Sequence, residues 1–167
     1  MKIRIEKPED KQAIYAVNMA AFRTSAEAEL VDTLRDEPIP TISLVAEIDD
    51  KIVGHIFFSP VSLNKHPNLR IIGLGPMAVL PDYQNQGIGS ALVPAGLDAC
   101  KKAGYQAAVV LGHPEFYPRF GFLPSIHFGI DSEYDVPPEV FMMLELEEHA
   151  LRNTSGRIHY HPAFAGV

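Results

Sequence analysis

Gly73-Leu74-Gly75-Pro76-Met77-Ala78-Val79-Leu80-Pro81-Asp82-Tyr83-Gln84-Asn85-Gln86-Gly87-Ile88-Gly89-Ser90-Ala91-Leu92 passes from an apolar stretch through a polar turn into a helical pattern. Arg70 to Leu80 reads as a strand that stops at Leu80-Pro81. A helix opens near Gly87 and runs to Ala103, with Gly104 as its stop. Gly87 and Gly89 carry no β-carbon, so a ligand can approach the backbone closely there. The first-turn N–H groups of the helix have no acceptor within it and form the positive end of its dipole. Strand, turn and helix start together describe a pocket for phosphate or diphosphate. Ordinary helix packing explains the two glycines alone equally well; the order of elements around them favours the phosphate.

Working outward, Lys2 to Glu6 alternates Ile3 and Ile5 with polar residues and predicts a strand. Pro8 suits the first turn of a helix carrying Ala13, Ile14, Val17 and Ala21, and Ser25 opens a second helix ended by Pro38 and Pro40. Thr41 to Ile48 and Lys51 to Ser59 flank Asp49-Asp50 as a hairpin. Gln106 to Leu111 predicts a compact strand, Pro114 to Phe120 a short helix stopped by Gly121, and Val140 to Glu147 and Gly156 to His161 two closing strands. The order β-α-α-β-β-β-α-β-α-β-β is that of an α+β fold with a mixed, largely antiparallel sheet. The strand–helix–strand unit around residues 70 to 111 supplies a parallel pair.

The 167 residues suit a single domain, residues 1–167. A hydrophobic fraction of 47% with 21% charged residues is that of a globular chain and excludes wholesale disorder. No apolar run approaches the ~20 residues of a membrane span, and the opening Met-Lys-Ile-Arg-Ile-Glu is no signal peptide. One cysteine, Cys100, permits no internal disulfide. A soluble, cytoplasmic protein is therefore expected. Fourteen Lys and Arg against 21 Asp and Glu leave a net charge of −7, which disfavours nonspecific nucleic-acid binding. A single anionic ligand remains compatible with that charge where backbone amides supply the local positive potential.

Gln84-Asn85-Gln86-Gly87-Ile88-Gly89 fits a Gln/Arg-x-x-Gly-x-Gly/Ala signature between strand and helix. Here the sequence resembles the GCN5-related N-acetyltransferase family, most specifically from Gly73 to Phe122. The resemblance implies acetyl-CoA as donor and no metal. It places the pyrophosphate against the amides of Gln84, Asn85, Gln86, Gly87, Ile88, Gly89 and Ser90, and the pantetheine arm along Met77 and Val79. It also implies a splayed parallel pair, with which Pro76 agrees, since proline in a strand favours a bulge or an edge. An unpaired edge proline explains Pro76 alone as well. Tyr117-Pro118-Arg119-Phe120-Gly121-Phe122 is similar to the family's Tyr-x-x-x-Gly-Phe ending of the fourth helix, which makes Tyr117 the candidate acid for the departing thiolate. By the same resemblance, the Val79 N–H is the candidate to stabilise charge on the acetyl oxygen.

The acceptor implied is an amine, on a small molecule or a protein, attacked directly in a ternary complex. A base for its proton is not singled out among Glu27, Glu29, His55 and His113, each of which has an ordinary structural explanation. Family members often pair, and the final strands are available for a homodimer, with no interface legible in the sequence. A noncatalytic CoA- or acyl-CoA-binding regulatory module on the same fold is the alternative function. Gly73-Leu74-Gly75-Pro76-Met77-Ala78 mimics a dinucleotide fingerprint, but its glycines lie inside the strand rather than at a helix start. No Gly-Lys-Ser/Thr supports a P-loop, and one cysteine cannot supply the zinc-deaminase ligands that His113-Pro114-Glu115 would require. His159 and His161 lack further ligands for zinc, and Cys100 reads as a small core residue.

Overall fold

The computed structural model describes residues 1–167. They divide into two compact units, residues 1–59, 75–98 and 162–167 in the first, and 60–74 and 99–161 in the second. No helix is long and apolar enough to cross a membrane.

In the first unit, β1 (Lys2–Ile5), β2 (Ile42–Ile48) and β3 (Lys51–Leu63, as far as Ser59) pair antiparallel. The hairpin between β2 and β3 turns on Asp49 and Asp50, at φ 51° and 60°. Two positive φ values give the twist that fits a two-residue hairpin, so Asp-Asp here does the work usually left to Asn-Gly. Helices α1 (Lys11–Phe22) and α2 (Ala26–Asp36) present Ile14, Leu30, Val31 and Leu34 to Val45 and Phe57 of the strands. Pro8 opens a 3-10 turn ahead of α1 rather than α1 itself. The end of β4 (Ile71–Val79) and most of α3 (Ile88–Lys102) complete this unit.

Helix α3 buries Ile88, Leu92, Val93 and Cys100 on one face, at the spacing of an amphipathic helix. It lies close on β3 because Gly96 has no side chain: a β-carbon there would fall 2.5 Å from the Phe58 ring. Pro94, which predicts a bend one turn into the helix, sits on the exposed side, and the helix continues through it to Lys102. Gly104 follows with φ 91°, the left-handed stop expected from the sequence.

In the second unit, the start of β4 pairs in parallel with β5 (Ala107–Leu111), which pairs antiparallel with β8 (Phe141–Glu145). Met142 and Met143 of β8 in turn pair with β6 (Leu123–Pro124). The end of β3 pairs with β9 (Gly156–His159), and β9 runs parallel to β7 (Ile130–Ser132). Val61, Leu63, Ile71, Val109, Phe141 and Ile158 belong to the core of this unit. The fold is thus α+β, its sheet largely antiparallel with the β4–β5 parallel pair, as expected. The expected fourth helix is a single 3-10 turn, Tyr117–Phe120, because Gly121 at φ 99° ends it after four residues.

Candidate active site

The parallel register of β4 with β5 covers Ile71 to Leu74 and ends there, immediately before Gly75-Pro76. The peptide between Gly75 and Pro76 is cis. Beyond it, Leu80 N–H donates to Val53 O of β3 at 2.8 Å. Backbone groups alternate sides along a strand, so the N–H and C=O groups of Val79 and Met77 point away from β3. Val79 O accordingly accepts from Gln84 Nε2 at 2.9 Å. Both residues are half-buried, whereas Ala78 between them is buried.

The chain then makes a 3-10 turn, Pro81–Tyr83, and reverses through Asn85 at φ 62° and Gly87 at φ 85°. A β-carbon on Gly87 would meet nothing within 4 Å, so its left-handed backbone, not crowding, is what asks for glycine. Gln86 Nε2 donates to Asp82 O at 3.1 Å. The Gln84 and Gln86 side chains therefore staple the turn from within, and, against expectation, the Gln84 amide is engaged as well, donating to Pro81 O at 3.3 Å as the cap of the 3-10 turn. Ala91 N–H makes the first bond into the helix, to Gly87 O at 3.1 Å, so helix geometry leaves the amides of Gly87, Ile88 and Gly89 without an acceptor of their own. Gln84 to Gly87 are exposed. The Lys51 ammonium lies 5.6 Å from the centre of the Tyr83 ring and sets a cation beside the turn, a contact that no sequence motif signals.

Tyr117 is in the second unit and only 7% exposed. Its ring meets Phe116 and Phe122 edge-on, with centroids 5.0 and 5.7 Å away, and lies over Gly112. Burial pushes its hydroxyl up to about 12, and that hydroxyl makes no hydrogen bond within the protein.

Of the four residues weighed as bases, His55 is fully buried and forms part of a chain of polar groups. Asn18 Nδ2 donates to Ile14 O at 3.0 Å and to His55 Nδ1 at 3.1 Å. That leaves the imidazole proton on Nε2, which donates to Ser43 Oγ at 2.8 Å; Ser43 Oγ donates to Glu6 Oε1 at 2.7 Å. Arg35 closes the chain with 2.9 and 2.8 Å bonds to the two Glu6 oxygens. Burial resists ionisation of Glu6, but the bonds from Arg35 and Ser43 outweigh it and hold its carboxyl below the usual range. Burial takes His55 down to about 3, with the Glu6 charge opposing only part of the fall. The imidazole is neutral and structural. Residues 6, 18, 35, 43 and 55 are too scattered for sequence spacing to reveal this chain. Glu27 accepts from Thr24 Oγ1 at 3.0 Å, while Glu29 and His113 are exposed.

The pH dependence follows from the direction. An imidazole whose affinity for protons is lower in the fold than in the unfolded chain (~6.5) makes stability fall as pH drops from about 6.5 toward 3. His55→Gln should flatten the thermal-melting profile between pH 6.5 and 5, above the range where Glu6 begins to contribute. An unchanged slope in a folded variant counts against the neutral buried imidazole.

Amides left without helical acceptors at the head of α3, directly after a strand and a glycine-bearing turn, make a place for a phosphate-bearing ligand. Comparison with known proteins agrees: the acetyltransferase (GNAT) domain model matches residues 40–124, and the chain belongs to the GCN5-related N-acetyltransferase family. It is 36% identical over 165 residues to the uncharacterized N-acetyltransferase YhbS of Escherichia coli K12, covering 98% of each chain. The crystal structure of E. coli YhbS in complex with CoA superposes with a TM-score of 0.92, at 36% identity, over 98% of this chain and 91% of that one. A GNAT family acetyltransferase from Brucella melitensis in complex with acetyl-CoA gives 0.81, at 37% identity, over 98% and 97%.

Proposed function

We propose that the protein moves an acetyl group from acetyl-CoA to an amine by direct attack in a ternary complex, with residues 1–167 acting as one domain. The observation that carries this reading is the turn from Asn85 to Gly89, whose two left-handed residues lead into the amides without helical acceptors at the head of α3. Those residues fit a diphosphate: the turn is exposed, its side chains are tied back to main-chain carbonyls, and no β-carbon stands at Gly87. The similar proteins from E. coli and Brucella, crystallised with CoA and acetyl-CoA, support the same donor.

When bound, acetyl-CoA supplies a thioester: the amine nitrogen bonds to the acetyl carbon, the C–S bond breaks, sulfur leaves with the electron pair, and the proton the nitrogen sheds passes to solvent, from which Tyr117 regains the one it gives to sulfur. The chain's contribution is positional. The amides of Asn85 to Gly89 hold the phosphates; that of Gln84 is taken by Pro81 O. Met77 and Val79, with main-chain groups turned away from β3, pair with the pantetheine amides, and Val79 N–H faces the carbonyl oxygen as negative charge grows on it. Tyr117 holds its proton at neutral pH and gives it toward sulfur.

Thermal-shift titration with acetyl-CoA, CoA and NAD, followed by amine-dependent release of free CoA, tests the proposal. Stabilisation by the two CoA species but not by NAD, with release that depends on an amine, is the expected result. Binding with no release across an amine panel would leave a noncatalytic CoA-binding module, and no binding would remove the donor assignment.

A further inference from the structure

Within the second unit, the segment from Ser125 to Phe141 folds around a cavity of about 350 Å³, large enough for a small organic molecule. Its apolar walls are Ile126, Val136, Pro138 and Phe141, and Tyr134 contributes an aromatic ring. Three carboxylates line it, and they differ in what they have left to offer. Asp131 is taken by Arg157, whose Nε and Nη2 lie 3.0 and 3.3 Å from its two oxygens. Glu133 accepts from Tyr160 N–H at 2.8 Å and faces His159 Nδ1 at 3.2 Å. Asp135 has no hydrogen-bond or ion-pair partner. Ser125 also lines the cavity: it is only 2% exposed, yet its hydroxyl bonds to nothing in the protein. That hydroxyl is not sealed in the core, as the unpartnered Asn18 Oδ1 and Ser59 Oγ are, so it is free to bond what enters the cavity.

The walls are preorganised. Tyr134 N–H donates to Ser132 Oγ at 2.9 Å, Glu133 N–H to Ile158 O at 3.2 Å, and the Tyr134 ring rests on Tyr160 with centroids 5.7 Å apart. The carboxylates do not converge as a set of metal ligands, which favours one positive charge carried on an organic body over a bare divalent ion.

We infer that this cavity binds a small primary ammonium with an apolar body, its charge on Asp135 and the face of Tyr134, one N–H on Ser125 Oγ, and its carbon skeleton against Ile126, Val136 and Phe141. On the acetyltransferase reading proposed above, on which this part of the inference rests, such a molecule belongs to the acceptor class; the binding itself does not depend on that reading.

The test is calorimetric titration of the full chain with hexylamine and 2-phenylethylamine, beside their neutral counterparts hexanol and 2-phenylethanol. The amines should bind at least about tenfold more tightly than the alcohols, and Asp135→Asn should remove most of that preference. Ser125→Ala should weaken the amines by about fivefold while leaving the alcohols within twofold. No saturable amine binding, equal affinity for amine and alcohol, or an amine affinity untouched by Asp135→Asn overturns the assignment. Acetyl-CoA stabilisation, measured on the same variants, should not move. If amines bind but acetyl-CoA neither binds nor is consumed, the cation site stands and the acetyltransferase reading fails. If amines are acetylated while Asp135→Asn changes neither their KM nor their binding, acetyl transfer stands and this cavity is not the acceptor site.

Discussion

Gly87→Glu is expected to abolish stabilisation by acetyl-CoA and raise its Kd by at least about a hundredfold, while the protein stays folded. Two effects act together, and the second dominates. Any side chain at φ 85° strains the backbone, at a cost of about 1 kcal/mol. That is a minor fraction of the ~5–15 kcal/mol of a typical domain. No atom lies within 4 Å of the new β-carbon, so no clash adds to it. The carboxylate, however, stands among amides arranged for an anion and repels the diphosphate they would hold. Each charge-assisted bond to such an anion contributes ~1.5–3 kcal/mol, so losing two or three accounts for the hundredfold loss. Gly87→Ala separates the causes: it carries the same strain without the charge and should keep most of the binding. Full acetyl-CoA affinity in a folded Gly87→Glu protein would mean that the diphosphate lies elsewhere.

How far such residues could be read without coordinates depends on how local their physics is. The run from Gly73 to Leu92 was legible because each step (strand stop, polar turn, helix start) is set by neighbours in the chain, and α3 with its Gly104 stop follows the expectation closely. The conformation of Asn85 was not legible; asparagine tolerates a left-handed backbone but does not announce it. Strands β6 and β7 escaped because two- and three-residue strands carry no alternation, and β6 contains a proline. The short helix expected after Pro114 became a single 3-10 turn because Gly121, in a left-handed backbone, stops it after four residues. The Asn18–His55–Ser43–Glu6–Arg35 chain and the cavity around Ser125 arise wholly from tertiary placement. Motif reading stopped at Phe122, just short of the segment that encloses that cavity.

Tyr117→Phe should lower turnover at saturating substrates by about a hundredfold and leave acetyl-CoA affinity within about twofold. The ring does the packing: its edge-on contacts with Phe116 and Phe122 and its place over Gly112 survive the substitution. The hydroxyl bonds to nothing in the protein, so its removal leaves no orphaned partner, and the melting temperature should hardly change. What is lost is a proton. With its hydroxyl pushed up to about 12, Tyr117 is neutral across the working range and always able to donate. Against a free thiol near ~8.5, full transfer from such a group is uphill by about 5 kcal/mol. Two things reduce that gap: a thiolate leaving into apolar surroundings is itself made more basic, and a hydrogen bond to sulfur already stabilises the growing charge. Water supplies the proton less directly, which limits the loss to about a hundredfold rather than total inactivity. The raised hydroxyl also sets a pH signature: turnover should show no alkaline limb from this group until pH approaches about 12. Undiminished turnover in Tyr117→Phe, measured with both substrates saturating and with acetyl-CoA affinity unchanged, would remove the tyrosine from the chemistry and leave it as packing.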